Sequence, residues 1–212
     1  MDEPLPALQQ RSQETTEHLL EAAEELLRQG GADAATLRAI AERAGVSLGI
    51  VYRRFPDKDA ILRAVYTRFF ERFGATNTRS LSSDRFQRAS LAEVAHTLVT
   101  GIAEGYRRHA RLVRALLLYA RSHPSSEFRE RAAAHNARTL TVLQGIFDRH
   151  RPEITHPRPE VAVPFAISSA AALLQVRIVF NDTAAEPALP FAELVAEATR
   201  LVVSYLTAVR EE

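Results

Sequence analysis

Apolar positions recur at spacings of three and four along almost the whole chain. From Glu14 to Gln29, the positions of Leu19, Ala22, Ala23, Leu26 and Leu27 make one helical face. Gly30 and Gly31 should stop that helix, since glycine takes the left-handed backbone past a helix end at little cost. Thr36 is placed to cap a second helix with Leu37, Ile40, Ala41 and Ala44 inward, and Gly45 breaks it. Ser47 caps a third, short helix that must end near Phe55, because Pro56 disfavours helical geometry in the residue before it. Asp57 caps a fourth, on which Ile61, Leu62, Val65 and Phe69 continue the apolar stripe.

Between Gly74 and Arg88 the chain turns polar, and the main boundary is expected there. Longer helical segments come next, at 90–108, 109–122 and 125–150, with breaks at Pro124 and at the Pro-rich run from Arg151. The segment 160–180 is almost wholly apolar, and 191–209 is apolar on one face. Nowhere do two alternating runs flank a hairpin signal, so the fold expected is all-α. Its parts are a disordered tail over 1–13, a three-helix unit over 14–74, and a larger helical domain over 75–212.

Composition removes several classes. The 212 residues include no Cys, which excludes a disulfide scaffold, a thiolate metal site and a thiol nucleophile. None of the seven His residues pairs with another three or four along one helix, so no metal and no cofactor are expected. No nucleophile-elbow glycines or phosphate-binding loop are found, and nothing recommends an enzyme. No uninterrupted apolar run reaches the roughly 18–20 residues of a membrane span, and Met1 to Arg11 is not patterned as a secretory signal. A cytoplasmic protein without a membrane partner is the expectation.

Net charge is +1, but it is unevenly divided. Met1 to Ala35 holds eight acidic and two basic residues, whereas Thr36 to Arg72 holds eight basic and four acidic ones. A short basic block behind an acidic helix fits a nucleic-acid reading head, and equally an ordinary solvated surface. The chain has a single lysine, Lys58, against 26 arginines.

The segment from Thr36 to Phe55 has the pattern of a helix-turn-helix: two helices, a glycine turn, a Ser-capped second helix, then aromatic and basic residues. Its second helix can enter a major groove about 12 Å wide. Tyr52, Arg53, Arg54 and Lys58 offer donors to phosphates, which supply affinity without reading sequence. The sequence leaves open whether Tyr52 packs in the core and whether the arginines and Lys58 are plain surface charges.

With its run Ile-Ala-Glu-Arg-Ala-Gly-Val-Ser-x-Gly-x-Val-Tyr-x-x-Phe-x-x-Lys, the stretch from about Glu14 to Arg72 resembles the N-terminal domain of tetracycline-repressor-type (TetR) regulators. The resemblance implies Tyr52 and Lys58 as phosphate contacts, with Thr36 at the start of the supporting helix and Ser47 at the start of the reading one. It implies Leu48, Gly49 and Ile50 facing bases, and Arg53 and Arg54 on backbone or bases. Ile50 stands where a small hydroxyl residue is common, and Arg54 where His is frequent.

The same resemblance implies a ligand-responsive regulator, a repressor released from a pseudo-palindromic operator by a small-molecule effector. It would form a homodimer through the two C-terminal helices. Effector-lining candidates are Tyr106, Tyr119, Phe128, His135, Phe147 and Phe165, since pockets combine apolar walls with a few polar groups. Gly101 and Gly105, four apart, allow either a wider cavity or closer helix packing. The alternative function is a helical small-molecule-binding protein or enzyme with a vestigial helix-turn-helix.

Overall fold

The computed structural model describes residues 5–81, 88–181 and 189–208, with side chains from Gln10 onward. Among these the chain forms α1 (Leu5–Ala34), α2 (Leu37–Ala44), α3 (Leu48–Arg54), α4 (Lys58–Leu81), α5 (Leu91–Ser122), α6 (Ser126–Phe147), α7 (Pro159–Leu174) and α8 (Phe191–Leu206). A short 3-10 stretch, Asp148–Glu153, comes after α6, and a π-helical turn, Gln175–Val179, after α7. No strand occurs among the described residues. The chain divides into two compact units, Met1–Phe70 with Arg111–Phe128, and Glu71–Ala110 with Arg129–Glu212.

In the first unit α1 is longer than its apolar stripe. It enters helical geometry at Leu5, within the segment expected to be a tail, and the Gln10–Glu14 side-chain hydrogen bond runs along this polar stretch. At Gly30 and Gly31 the backbone leaves helical geometry, with φ at Gly31 of 68°, so the break falls where the glycines stand. Leu19, Ala23, Leu27, Ile40, Val51, Ile61 and Val65 are fully buried and form the centre of this unit.

One ion-pair cluster crosses that apolar centre. Arg68 on α4 reaches Glu24 on α1 at 2.7 Å and Glu17 at 2.6 Å, and Arg28 takes the other oxygen of Glu24 at 3.0 Å. The side chains of Arg68 and Glu24 are only 10% and 9% exposed. Burying two charges costs several kcal/mol each, and paired geometry with further hydrogen bonds offsets it.

The polar tract after Gly74 does not end α4. Hydroxyls of Thr76, Thr78 and Ser80 bond back to carbonyls four residues earlier, on Arg72, Gly74 and Thr76, and the helix runs on to Leu81. Side chains that usually compete with a helix are here satisfied within it. The remaining residues of the expected boundary, 82–87, lie outside the described residues.

In the second unit a reciprocal capping box starts α5. The Ser90 N–H donates to Glu93 at 2.7 Å, the Glu93 N–H donates to the Ser90 hydroxyl at 3.3 Å, and Glu153 accepts from the Leu91 N–H. The helix breaks at His109 (φ −118°, ψ 21°), matching the two segments read from the sequence. Gly101 and Gly105 serve close packing: a Cβ added at Gly101 would lie 2.6 Å from Asn77 Oδ1, and one at Gly105 would overlap Phe73 Cε2. Phe73 stacks on Tyr106 beside this notch, with centroids 5.4 Å apart.

Helices α7 and α8 pack on each other, and Ala162, Ala166 and Ala170 on α7 and Ala198 and Val202 on α8 are buried. Pro159–Val179 is long and apolar enough to cross a membrane by length and composition alone, although Glu160, Ser168, Ser169, Gln175 and Arg177 interrupt its apolar run. Only 33% of its most apolar 18-residue window is buried within the chain. Val161, Phe165 and Val176 on it, and Leu201 on α8, are exposed.

Arg68→Ala should destabilise the first unit by about 3–5 kcal/mol, because Glu24 is left buried without its main partner. Adding Glu24→Gln should recover part of the loss, and urea denaturation of both variants measures it.

Candidate nucleic-acid interface

The two helices and the turn from Thr36 to Phe55 are each held by a local device. The Thr36 hydroxyl accepts from the Ala39 N–H at 3.1 Å and caps α2. Gly45 ends α2 in the left-handed region (φ 68°), its N–H returning to the Ala41 and Glu42 carbonyls. The Val46 N–H also bonds to Ala41 O, at 3.0 Å. Val51 is fully buried and Phe55 nearly so, anchoring α3 from one side. Asp57 Oδ1 accepts from the Ala60 N–H at 2.7 Å and caps α4.

Ser47 departs from its expected local role. It occupies the N-cap position with extended backbone, but its hydroxyl makes no capping hydrogen bond, so the exposed side chain is not tied to the helix end. The first turn of α3 is closed by the Ser47 carbonyl, which accepts from the Ile50 N–H at 2.9 Å.

The outer face of α3 carries Leu48 (39% exposed), Gly49, Tyr52 (54%) and Arg53, all exposed, with Ile50 half-buried. Tyr52 therefore does not pack in the core. Around Gly49 an added Cβ would meet only Ser47 Oγ, at 3.9 Å, so this face is flat and open there.

Seven of the eight basic residues of the 36–72 block divide by partner as follows. Arg68 is consumed in the buried cluster, Arg63 pairs with Asp59 at 3.0 Å, Arg38 with Glu42 at 3.3 Å, and Arg43 donates to Gln29. Arg54 donates to the Ser12 hydroxyl of α1. Arg53 and Lys58 make no ion pair or hydrogen bond among the described residues. An unpaired cation beside an exposed aromatic hydroxyl is the arrangement that phosphate oxygens complete.

The six effector-lining candidates are divided between the two units. Tyr119 and Phe128 lie in the first unit, with ring centroids 5.6 Å apart. Tyr106 and Phe147 are buried in the second, His135 is half-exposed on α6, and Phe165 is 57% exposed on α7. Phe165 lines an open groove of about 320 Å³ between α7 and α8, with Leu173, Leu201, Val202 and Tyr205, where Ser169 supplies a lone side-chain hydroxyl on α7. Phe165 and Tyr205 pack at 5.5 Å.

Sequence reasoning missed Asp59 and His123. Asp59 Oδ1 accepts from Tyr119 Oη at 2.5 Å and lies 2.7 Å from His123 Nε2. Burial opposes ionisation of Asp59, but the hydrogen bonds from Tyr119 and His123 and the charge of Arg63 outweigh it and hold the carboxyl below its usual value. Burial, and then the hydrogen bond to Asp59 and its charge, push the Tyr119 phenol far up. No periodicity links Asp59 to Tyr119 and His123, which stand 60 and 64 residues further along the chain.

A helix-turn-helix with an open outer face, joined in one chain to a second helical unit, is the architecture of regulator-type proteins. Residues 19–65 match the model of the bacterial regulatory proteins of the tetR family, and residues 90–206 match the tetracyclin repressor-like C-terminal domain. The chain belongs to the TetR family. Over 67 residues it is 39% identical to the HTH-type transcriptional repressor KstR of Mycolicibacterium smegmatis, covering 32% of this chain and 33% of that one. Over 78 residues it is 35% identical to KstR of Rhodococcus jostii, covering 37% of each. The chain thus aligns with about a third of the length of these relatives.

Among solved structures, a TetR-family regulator of Mesorhizobium loti superposes with a TM-score of 0.73 at 20% identity, covering 92% of this chain and 96% of that one. The regulator FadR of Bacillus subtilis, solved in complex with stearoyl-CoA, superposes with a TM-score of 0.68 at 16% identity, covering 91% and 98%. These likenesses extend the shared fold over nearly the whole chain.

Because the folded-state carboxyl of Asp59 is depressed, its contribution to stability is present above the unfolded value of 3.8 and lost as pH falls through the lower folded value. Acid titration of unfolding should therefore show a limb below pH 3.8 that flattens in Asp59→Asn.

Proposed function

We propose that the chain is a DNA-binding transcriptional repressor, acting as a homodimer on a pseudo-palindromic operator and released by a small-molecule effector taken up in the second unit. The observation that carries this reading is the open face of α3, where Tyr52, Arg53 and Lys58 stand exposed or unpaired beside Leu48 and Gly49. Tyr52 and Lys58 hold phosphates on either side of the groove. Leu48, Gly49 and Ile50 meet the base edges, Ile50 offering an apolar contact to a thymine methyl. Arg53 and Arg54 add backbone or base contacts, while Thr36 and Ser47 set the starts of α2 and α3.

The dimer reading rests on α7 and α8. They pack together, yet Val161 and Phe165 on α7, Val176 on the π-helical turn after it and Leu201 on α8 remain exposed. A second copy related by two-fold symmetry would cover these faces in a four-helix contact. Two reading heads would then meet successive major grooves about 34–36 Å apart. The effector reading is supported by the match over 90–206 to a domain found in these regulators, and by the FadR likeness at the level of fold. To release DNA, the effector must favour the non-binding arrangement; moving the balance from 1:99 to 99:1 takes about 5.5 kcal/mol of differential affinity.

The purified chain should select palindromic duplexes from a randomised DNA pool, with affinity falling steeply as salt rises. Enrichment of no sequence, or binding insensitive to salt, would sink the assignment. Lys58→Ala should weaken binding across sequences and make the log–log salt slope shallower by about 0.9. Leu201→Glu should convert the dimer to monomer in sedimentation and abolish the preference for two half-sites over one.

A further inference from the structure

Directly after Lys58, the Asp59 carboxylate gathers donors from a distant part of the same compact unit. Its Oδ1 accepts from Tyr119 Oη at 2.5 Å and lies 2.7 Å from His123 Nε2, while Arg63 Nε holds Oδ2 at 3.0 Å. The other ring nitrogen of His123 lies 3.1 Å from the backbone nitrogen of Ser125. A peptide N–H can only donate, so Nδ1 carries a lone pair and Nε2 carries the hydrogen that goes to Asp59. The Ser125 hydroxyl in turn accepts from the Phe128 N–H at 3.2 Å and caps α6. The Phe128 ring packs on His123 at 4.7 Å and edge-on to Tyr66 of α4 at 5.2 Å.

The chain between α3 and α4 is short, and Asp57 and Asp59 fix its end in different ways. Asp57 closes the first turn of α4 locally, through the Ala60 N–H. Asp59 ties the same turn to the segment 111–128, which starts just past the break of α5 at His109. Ile61, Leu62 and Val65 bury α4 apolarly, but apolar contact is non-directional and tolerates small rotations of a helix. Two donors converging on one carboxylate oxygen do not, because hydrogen bonds weaken steeply off axis. A small rotation of the first turn would carry Lys58 and the attached α3 with it.

We propose that Asp59, Tyr119 and His123 are positioning residues for DNA binding: together they latch the first turn of α4, and through it Lys58 and α3, to the segment 111–128. The proposal rests on the DNA-binding reading for its functional consequence but not for its geometry. Tyr119, which the sequence placed among effector-lining residues, has its hydroxyl engaged in this latch.

The full chain serves for the test, and its lack of cysteine allows clean spin-labelling. Labels at Arg53→Cys and Leu118→Cys report the distance between α3 and the second half of α5 without DNA. A narrow distribution should broaden or shift in Tyr119→Phe and Asp59→Ala. Binding of each unlabelled variant is measured on the duplex that the wild-type chain enriches from a randomised pool. Affinity should fall about 10-fold in Tyr119→Phe, with an unchanged salt slope, since no phosphate contact is lost. Tyr119→Phe keeps the ring and is the informative variant should Asp59→Ala fold poorly.

Unchanged distances with unchanged affinity would overturn the latch. A shallower salt slope would also overturn it, by making these groups direct phosphate contacts. Losses that track only the unfolded fraction would reduce the cluster to a fold-stabilising role and overturn it likewise. Should the wild-type chain enrich no duplex, the DNA-binding reading fails, while the spin-label distances still decide whether the latch sets α3.

Discussion

The register of α4 on α1 depends on one buried contact, the guanidinium of Arg68 on Glu24, with Glu17 pairing at its outer edge. Apolar packing presses α4 against α1, but packing alone leaves their register free to slide. A pair of desolvated charges has no such freedom, because any displacement leaves a charge in the interior without a partner. The pair thereby sets where α4 lies, and α4 begins at Lys58, immediately after the connection to α3. The position of α3 therefore traces back to an ion pair ten residues along from that lysine.

The same contact explains why counting charge gave only half an answer. Thr36 to Arg72 is basic by composition, yet Arg38, Arg43, Arg63 and Arg68 each have a partner on the protein. What remains outward is narrower than the sum implied, with Arg53 and Lys58 unpaired among the described residues. The lone lysine carries more of the free charge at this site than 26 arginines would lead one to expect.

Local signals were well legible in the sequence. Thr36, Gly45, Asp57 and the apolar positions of α1 act through neighbours three or four residues away, so their roles can be read from spacing. The polar tract after Gly74 did not reveal that α4 runs on to Leu81, because hydroxyl-rich stretches usually leave the helix, whereas Thr76, Thr78 and Ser80 bond back into it. Ser47 misled in the opposite sense, since residue type favours a cap that its side chain does not make. Asp59 with Tyr119 and His123 was invisible, as are all polar contacts between residues about 60 apart in a chain read alone. The aromatics proposed for an effector pocket show the same limit. Helical spacing says which residues face inward, but not which inward-facing residues meet.

The open surface around Gly49 has an evolutionary side. A hydrogen there, instead of a side chain, leaves the middle of the reading face blank, with only Ser47 Oγ near the place a Cβ would occupy. Gly49 has ordinary helical backbone and no role in the core, so the fold places little demand on that position. New side chains could enter there one mutation at a time, altering which DNA is favoured while the buried ion pair and the helix caps stay intact. On the proposed DNA-binding reading, the position is a vacant letter, through which a lineage could change its targets without first having to survive a weakened fold.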